Sequence, residues 1–220
     1  MPLPHPPLRP PLPRLLAVSD ASPVVESADA RRERWASWLA ELAAADVDGV
    51  QLRDRTLSDL ECFECATLAR SQVGAPRSIW IHRRADIALA AAADGVQLPA
   101  AGAPLAPLRR RFGRQLRFGR STHTLDEVHD ARADGADLVI FGPVFATPSK
   151  AGLLEPRGLD TLAKAVEVGP PVLAIGGIDF ENAAAVAATG AWGIAAIRLF
   201  GQPSRQAGRL RALRALWPAS

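Results

Sequence analysis

A regular alternation of short β-type runs with longer helical runs is the feature that most constrains the fold of this chain. Runs rich in Val, Ile, Leu and aromatic residues predict eight strands, at 14–18, 49–53, 78–82, 95–98, 117–120, 137–141, 171–175 and 192–198. Runs rich in Ala and Leu with 3.6-residue spacing predict eight helices, at 30–45, 58–71, 85–93, 104–111, 125–134, 158–167, 180–189 and 203–216. Strict alternation requires parallel strands with right-handed crossovers. Eight such units favour an α/β fold closed into a (βα)8 TIM barrel.

The length of the chain fits one barrel domain. It has 220 residues, 48% of them hydrophobic, which is enough to bury a sizeable core. Residues 1–13 are rich in proline and predict an extended N-terminal arm, which leaves 14–220 for the barrel.

Composition argues against several classes of partner. Aromatic residues make up only 5% of the chain and no nucleic-acid reader motif occurs, so nucleic-acid binding is not expected despite the net charge of +3. No apolar run has the length of a membrane span, and the early prolines disfavour a signal peptide. A cytoplasmic protein without membrane contact is therefore predicted. Cys62 and Cys65 lie in a helical segment and are interpreted as small apolar residues rather than as a redox pair.

Polar residues gather where the predicted strands end, which is the face of a TIM barrel that carries its chemistry. Because side chains alternate along a strand, Gln51 and Arg53 are predicted to point into the barrel near its top, as are His82 and Gln97. A guanidinium there suits a carboxylate or a phosphate. The alternative is an arginine held by a carboxylate of the barrel for structural reasons.

His123 is the main catalytic candidate. It follows the run GRST at 119–122, which ends the fifth predicted strand, and precedes Thr124, which opens a helix. An N-cap explains Thr124 but not an imidazole at this position. With a pKa of about 6.5, histidine can accept and return a proton at neutral pH, so a catalytic or substrate-contacting role is predicted.

Two further loops are candidates for ligand contact. Thr147 and Lys150 lie in a polar loop after the sixth predicted strand, which is either a segment that closes over a ligand or a solvated turn. Gly176 and Gly177 follow the seventh strand and Arg198 ends the eighth. These positions match the phosphate site of TIM barrels, where glycine lets backbone N–H groups approach a phosphate.

Several of these segments resemble one family when they are read together. They are QLR at 51–53, IAL at 87–89, DGVQL at 94–98, GRSTH at 119–123, FGPVFAT at 141–147 with Lys150, and AIGGI at 174–178. In this order they resemble the thiamine phosphate synthase and thiazole tautomerase superfamily, over about residues 14–200. The resemblance implies a TIM barrel, a thiazole phosphate ligand and a role in thiamine metabolism.

The two branches of this superfamily differ in chemistry. The synthase joins a pyrimidine diphosphate to a thiazole phosphate and needs Mg²⁺ on the diphosphate. The tautomerase moves a proton within a thiazole carboxylate phosphate, which aromatises the ring, and needs no metal. The synthase pattern has Asn-Asp after the third strand and Asp after the fourth, because Mg²⁺ prefers carboxylate oxygens. This chain has His82, Arg83 and Arg84 at the first place and PAAG, residues 99–102, at the second.

The arginines argue against a metal site, and the GRSxH phrase with residues 97–99 resembles the tautomerase branch. We therefore expect a tautomerase-like isomerase without metal or other cofactor, in which the resemblance makes His123 the acid/base. The expected substrate contacts are Gln51, Arg53, His82, Gln97, Ser121, Thr147 and Lys150, with Arg53 or Lys150 on the carboxylate. The phosphate is expected at Gly176, Gly177, Ile197 and Arg198.

Two alternatives stay open. One is a thiamine phosphate synthase with a rearranged diphosphate site, in which arginines replace the cation. The other is a protein that binds a thiazole phosphate without turnover. In each case the expected partner is a small molecule, and assembly into a homo-oligomer is compatible with the sequence.

Overall fold

Strands and helices alternate along the whole described chain. The structure, a computed structural model, describes residues 10–19, 27–45, 47–113, 115–147 and 154–218. Its strands in these ranges are β1 (Leu15–Val18), β2 (Gly49–Leu52), β3 (Ser78–His82), β4 (Gly95–Leu98), β5 (Arg117–Thr122), β6 (Leu138–Phe141), β7 (Val172–Ile175) and β8 (Gly193–Ala196). The helices are α1 (Ala28–Ala44), α2 (Asp59–Val73), α3 (Ala85–Ala90), α4 (Leu105–Phe112), α5 (Leu125–Ala133), α6 (Gly158–Val168), α7 (Ala183–Ala188) and α8 (Ala207–Arg214).

All neighbouring strands pair in parallel, in chain order from β1 to β8, and β8 pairs with β1. The predicted (βα)8 TIM barrel is therefore confirmed. The division into an arm at 1–13 and a barrel stays a prediction, because residues 1–9 lie outside the described residues. Of the rest of the arm, Leu12 packs against the barrel interior, and the Pro10 carbonyl accepts a hydrogen bond of 2.5 Å from Arg117.

Among the element ends that differ from the sequence prediction are those of β8, α7 and α8. β8 stops at Ala196, and the predicted last strand residue, Arg198, instead opens a short 3₁₀ helix. α7 begins at Ala183 rather than at 180, because the Asp179 side chain accepts the N–H groups of residues 181 and 182 and holds a turn there. The segment 203–206 is a 3₁₀ helix, so α8 begins only at Ala207.

Side-chain alternation separates two apolar layers. Leu16, Val18, Trp80, Leu138, Ile140, Leu173 and Ala195 fill the inside of the barrel. The intervening strand residues pack outward against the helices; Val50 and Leu52 of β2 and Ile79 and Ile81 of β3 are among them. Since successive side chains point to opposite faces, Gln51 and Arg53, and likewise His82, belong to the inner face, as predicted.

Three aspartates at the opposite end of the barrel tie strands to helices. Asp48 accepts the N–H of Leu15 at 2.8 Å and a guanidinium bond from Arg214 on α8, also at 2.8 Å. Asp94 and Asp137 repeat this arrangement with the N–H groups of residues 79 and 118 and with arginines of α2 and α4. These aspartates directly precede β2, β4 and β6, and their bonds serve the structure rather than the chemistry.

Two other features of the described helices bear on function. None of these helices combines the length and the apolar character that crossing a membrane requires. The C-x-x-C cysteines lie on α2 and are free, and burial raises the pKa of Cys65 to about 11. A thiol with such a pKa stays protonated at neutral pH and is a poor nucleophile, which agrees with its interpretation as an apolar helix residue.

Candidate active site

The inner face of β4 and β5 carries a polar pair, the buried Gln97 and the half-buried Ser121. Gln97 is only 1% exposed, and its Nε2 donates a hydrogen bond of 3.1 Å to the Ser121 hydroxyl. Its amide packs over Gly119, where an added Cβ would lie 2.0 Å from Gln97 Oε1. Oε1 itself is buried and has no hydrogen-bond partner among the described residues. A buried acceptor of this kind is costly unless a donor reaches it, so Gln97 is suited to binding a ligand.

His82 lies beside this pair, opposite Gln97 in the register of β3 and β4. Both of its ring nitrogens are buried without a hydrogen-bond partner in the described part of the chain. Burial, followed by the positive charges of Arg53, Arg83 and Arg55, lowers the pKa of His82 to about 4. The imidazole is therefore neutral at pH 7, with one N–H donor and one acceptor.

The residues after β3 form a strained turn. The Arg84 N–H donates to the His82 carbonyl oxygen at 2.9 Å, which defines a γ-turn with Arg83 at its centre. Arg83 has φ 69°, in the left-handed region that non-glycine residues rarely occupy. Its N–H donates to the Gln97 carbonyl at 3.1 Å, which fixes this turn against β4. Strained backbone of this kind is typical of functional sites.

The residues after β3 and β4 do not fit a magnesium ion. Where the synthase pattern has acidic residues, this chain presents Arg83, Arg84 and the apolar residues 99–102. The nearby carboxylates of Asp86 and Asp59 both pair with Arg84. That pairing lowers the pKa of Asp86 to about 2. Among the described residues, no three His, Cys, Asp or Glu side chains form a group that could hold a metal ion.

His123 follows β5 directly and is held by two hydrogen bonds. Its N–H donates to Glu127 Oε2 at 2.5 Å, and its Nδ1 lies 2.5 Å from the Gly142 carbonyl oxygen. A carbonyl only accepts, so Nδ1 carries the proton and Nε2 of the neutral ring is an acceptor. Glu127 and Thr124 also form the capping box of α5, so the start of this helix positions the histidine.

His123 lines a cavity of about 400 Å³ between the starts of α5 and α6. The other described lining residues are Thr124, Leu125, Asp126, Pro156, Arg157 and Thr161. None of the other predicted site residues lines this cavity. The structure therefore groups Gln97, Ser121 and His82 together but gives His123 a different set of neighbours. Lys150, another predicted site residue, lies outside the described residues.

Backbone conformation and close packing require glycine at Gly176 and Gly177, independently of whether they bind a phosphate. Their φ values are 100° and 66°, which favour glycine. An added Cβ would lie 2.6 Å from Pro143 Cα at Gly176 and 2.6 Å from the Ala146 carbonyl oxygen at Gly177. The Gly177 N–H donates to no described residue, so it is available to an anion.

Ile197 and Arg198 line a second cavity of about 440 Å³, at the ends of β8 and β1. Its remaining walls are Val18, Ser19, Arg34, Trp35, Trp38, Gly201, Gln202 and Gln206. Sequence reasoning missed this contribution of α1. The only feature of the sequence that points to this wall is the spacing of Trp35 and Trp38. Their rings pack edge to face with centroids 5.6 Å apart. Arg55, near His82, was also missed because it lies in a loop without regular pattern.

Comparison with known proteins identifies relatives across most of the chain. Residues 21–200 match the family model described as Thiamine monophosphate synthase. A thiamine-phosphate synthase of Chloroflexus aurantiacus is 39% identical over 195 residues, 86% of this chain and 89% of the relative. One of Anaeromyxobacter dehalogenans is 48% identical over 114 residues, 51% of either chain. The solved thiamine phosphate pyrophosphorylase of Pyrococcus furiosus is 27% identical with a TM-score of 0.74, covering 91% of this chain and 96% of that one.

These relatives correct the expected activity. The two sequence relatives are named thiamine-phosphate synthase and the solved structure thiamine phosphate pyrophosphorylase, and none of the three is named a tautomerase. The predicted thiazole tautomerase and its isomerase class are therefore wrong. The error has a physical origin. The tautomerase expectation rested on the absence of acidic residues after β3 and β4, which is a local feature, whereas the similarity to the synthases extends over most of the chain.

Proposed function

The chain belongs to the thiamine monophosphate synthase family, and we propose that it is a transferase that joins a pyrimidine diphosphate to a thiazole phosphate. In this reaction the carbon–oxygen bond to the diphosphate breaks, and its electron pair leaves with the diphosphate. The lone pair of the thiazole nitrogen forms the new bond to that carbon. The observation that carries the proposal is the 39% identity to a thiamine-phosphate synthase over 86% of the chain.

The polar pair of β4 and β5 is suited to the pyrimidine ring. A pyrimidine presents ring nitrogens that accept hydrogen bonds, and substituents on the ring can donate. The buried Gln97 Oε1 is an acceptor without a described partner, and the Ser121 hydroxyl beside Gln97 can donate to a ring nitrogen. Gln51, 3% exposed on the inner face of β2, extends this lining on the far side of β3. A site built to pair such groups discriminates strongly against rings that lack them.

The phosphate of the thiazole substrate is assigned to the loops after β7 and β8. The Gly177 N–H has no acceptor among the described residues, and Arg198 supplies a positive charge at the mouth of the 440 Å³ cavity. Ile197 precedes the short helix whose first residue is Arg198, the usual arrangement of a TIM-barrel phosphate site.

His123 is assigned a substrate contact through Nε2, because Nδ1 is occupied by the Gly142 carbonyl. Thr147, half-buried after β6, and Lys150 are assigned further substrate contacts. Homo-oligomerisation also remains a proposal.

The test is a coupling assay with both substrates. Purified protein should form thiamine phosphate and inorganic diphosphate in equal amounts, each measured by chromatography, and neither should form when one substrate is omitted. The assay is run with excess EDTA and with Mg²⁺. Absence of product in both conditions, from protein that is folded by circular dichroism, would exclude the transferase.

A further inference from the structure

The ends of β2 and β3 bring positive charge to one point of the barrel mouth. Leu52 and Ile81 are register partners, so the next residues, Arg53 and His82, continue side by side on the inner face. The Arg53 N–H is held at 2.7 Å by the hydroxyl of Ser19, which follows β1. The backbone at this position is therefore fixed between two strands.

Arg83 is held at the same point by its strained turn. Its N–H donates to the Gln97 carbonyl of β4, and the hydrogen bond from the Arg84 N–H to the His82 carbonyl closes the turn around Arg83. The left-handed φ of 69° at a non-glycine residue carries a cost that a loop of this length could avoid with glycine. An arginine at such a strained position indicates a use for its side chain.

The charges with the largest effect on His82 are of one sign. After burial, Arg53, Arg83 and Arg55 contribute most to lowering the pKa of its imidazole. Neither Arg55 nor Arg83 has a side-chain hydrogen bond or ion pair with a described residue. The carboxylates in the neighbouring loops are engaged elsewhere, Asp54 with Thr56 and both Asp59 and Asp86 with Arg84.

From this arrangement we infer that the diphosphate of the pyrimidine substrate binds directly to Arg53, Arg55 and Arg83 without a divalent cation. The inference rests on the proposed transferase and specifies how that site holds its leaving group. Guanidinium groups match phosphate oxygens in two-point hydrogen bonds and keep their charge at any physiological pH. The same charges repel Mg²⁺, so the cluster that attracts the diphosphate also excludes the metal.

The neutral His82 completes the cluster. With no described partner for either ring nitrogen, it can donate one N–H to a diphosphate oxygen without adding to the mutual repulsion of the arginines. As the bond to carbon breaks, negative charge grows on the departing diphosphate, and fixed positive groups at this point stabilise it.

Direct binding is tested with inorganic diphosphate as the probe, by isothermal titration calorimetry in EDTA. We expect saturable binding in EDTA that added Mg²⁺ does not strengthen. Arg83→Gln should weaken it by about 10-fold to 100-fold, because one charge-assisted contact is lost. The control is Arg110→Gln, an exposed arginine of α4, which should bind like the parent. Equal weakening by both substitutions would mean a general effect of net charge and would overturn the inference.

A second variant separates binding from folding. Arg83→Gly relieves the left-handed φ, so it should unfold at a higher temperature than the parent and still lose diphosphate affinity. Unchanged affinity in Arg83→Gly would overturn the inference. So would binding that requires Mg²⁺, in which case the transferase proposal would stand. Metal-free binding of diphosphate without coupling of the two substrates would instead reject the transferase and leave an anion site.

Discussion

His82 shows how one residue reports the electrostatics of the whole barrel mouth. Its imidazole is half-buried, and burial together with the positive charges of Arg53, Arg83 and Arg55 lowers its pKa. Two unit charges about 6 Å apart interact by about 3 kcal/mol at an effective dielectric near 20, and a divalent ion doubles this. Protonated histidine and Mg²⁺ are therefore both disfavoured here, for the same reason.

The low pKa of His82 gives a pH dependence of stability. The pKa is about 4 in the folded state and about 6.5 in an unfolded chain, so the unfolded state binds more protons between these values. The contribution of His82 to stability is complete above about pH 6.5 and is lost as the pH falls toward 4. His82→Gln should therefore lose less stability than the parent between pH 7 and pH 4.5.

Urea unfolding at several pH values measures this difference. The control is His129→Gln, an exposed histidine of α5, which should follow the parent curve. Carboxylates also titrate in this range, so only the difference between each variant and the parent is informative. Parallel curves for His82→Gln and the parent would show that the imidazole is not destabilised by its surroundings.

At the scale of elements, the strand order, the inner face of each strand and the glycines after β7 could all be predicted from the sequence. These features depend on local periodicity, which a single sequence contains. The γ-turn at Arg83 and the 3₁₀ start of the last helical segment could not be predicted, since both depend on hydrogen bonds to other elements or on a local change of helix type. The cavity wall formed by Trp35 and Arg34 depends on how α1 packs near β8, which periodicity does not encode.

The loops after β6 and β7 fit together at Gly177, so Gly177→Val should destabilise the fold as well as the phosphate site. The side chain would meet the Ala146 carbonyl at 2.6 Å and would force a non-glycine residue into φ 66°. Left-handed strain alone costs about 1 to 3 kcal/mol, and the overlap adds to it. Urea unfolding should show a lower free energy of unfolding by at least this amount.

Gly208→Ala is the matched control. Gly208 lies in α8, and an added Cβ meets nothing within 4 Å. Alanine in a helix should stabilise the protein by about 0.5 to 1 kcal/mol. A Gly177→Val protein as stable as the parent would show that the two loops separate easily, and the glycine would then be explained by ligand approach alone.

At the scale of the whole molecule, the barrel divides stability and chemistry between its two ends. The end of the barrel where the strands terminate carries His82, Gln97 and two arginines, Arg55 and Arg83, whose side chains pair with no described residue. It also has costly features such as buried polar atoms without described partners. The opposite end carries the satisfied network of Asp48, Asp94 and Asp137. The tautomerase expectation failed at the end that carries His82 and Gln97. Local sequence does not show whether a changed set of ligands there alters the reaction or only the way an anion is held.

Asp48 closes the barrel by joining its first strand to its last helix, so Asp48→Ala should lower stability without changing diphosphate binding. Its carboxylate accepts the N–H groups of Arg14 and Leu15 at the start of β1 and the guanidinium of Arg214 on α8. Removing it leaves two partly buried backbone donors without this acceptor, and each such loss costs about 1 to 3 kcal/mol.

Asp130→Ala on the exposed face of α5 is the control and should change stability by less than about 0.5 kcal/mol. Urea unfolding gives the stabilities, and calorimetry with inorganic diphosphate gives the affinity of the folded protein. If Asp48→Ala retained the stability of the parent, closure would rest on the β1–β8 hydrogen bonds alone, and if it lost diphosphate affinity while folded, the two ends of the barrel would be coupled.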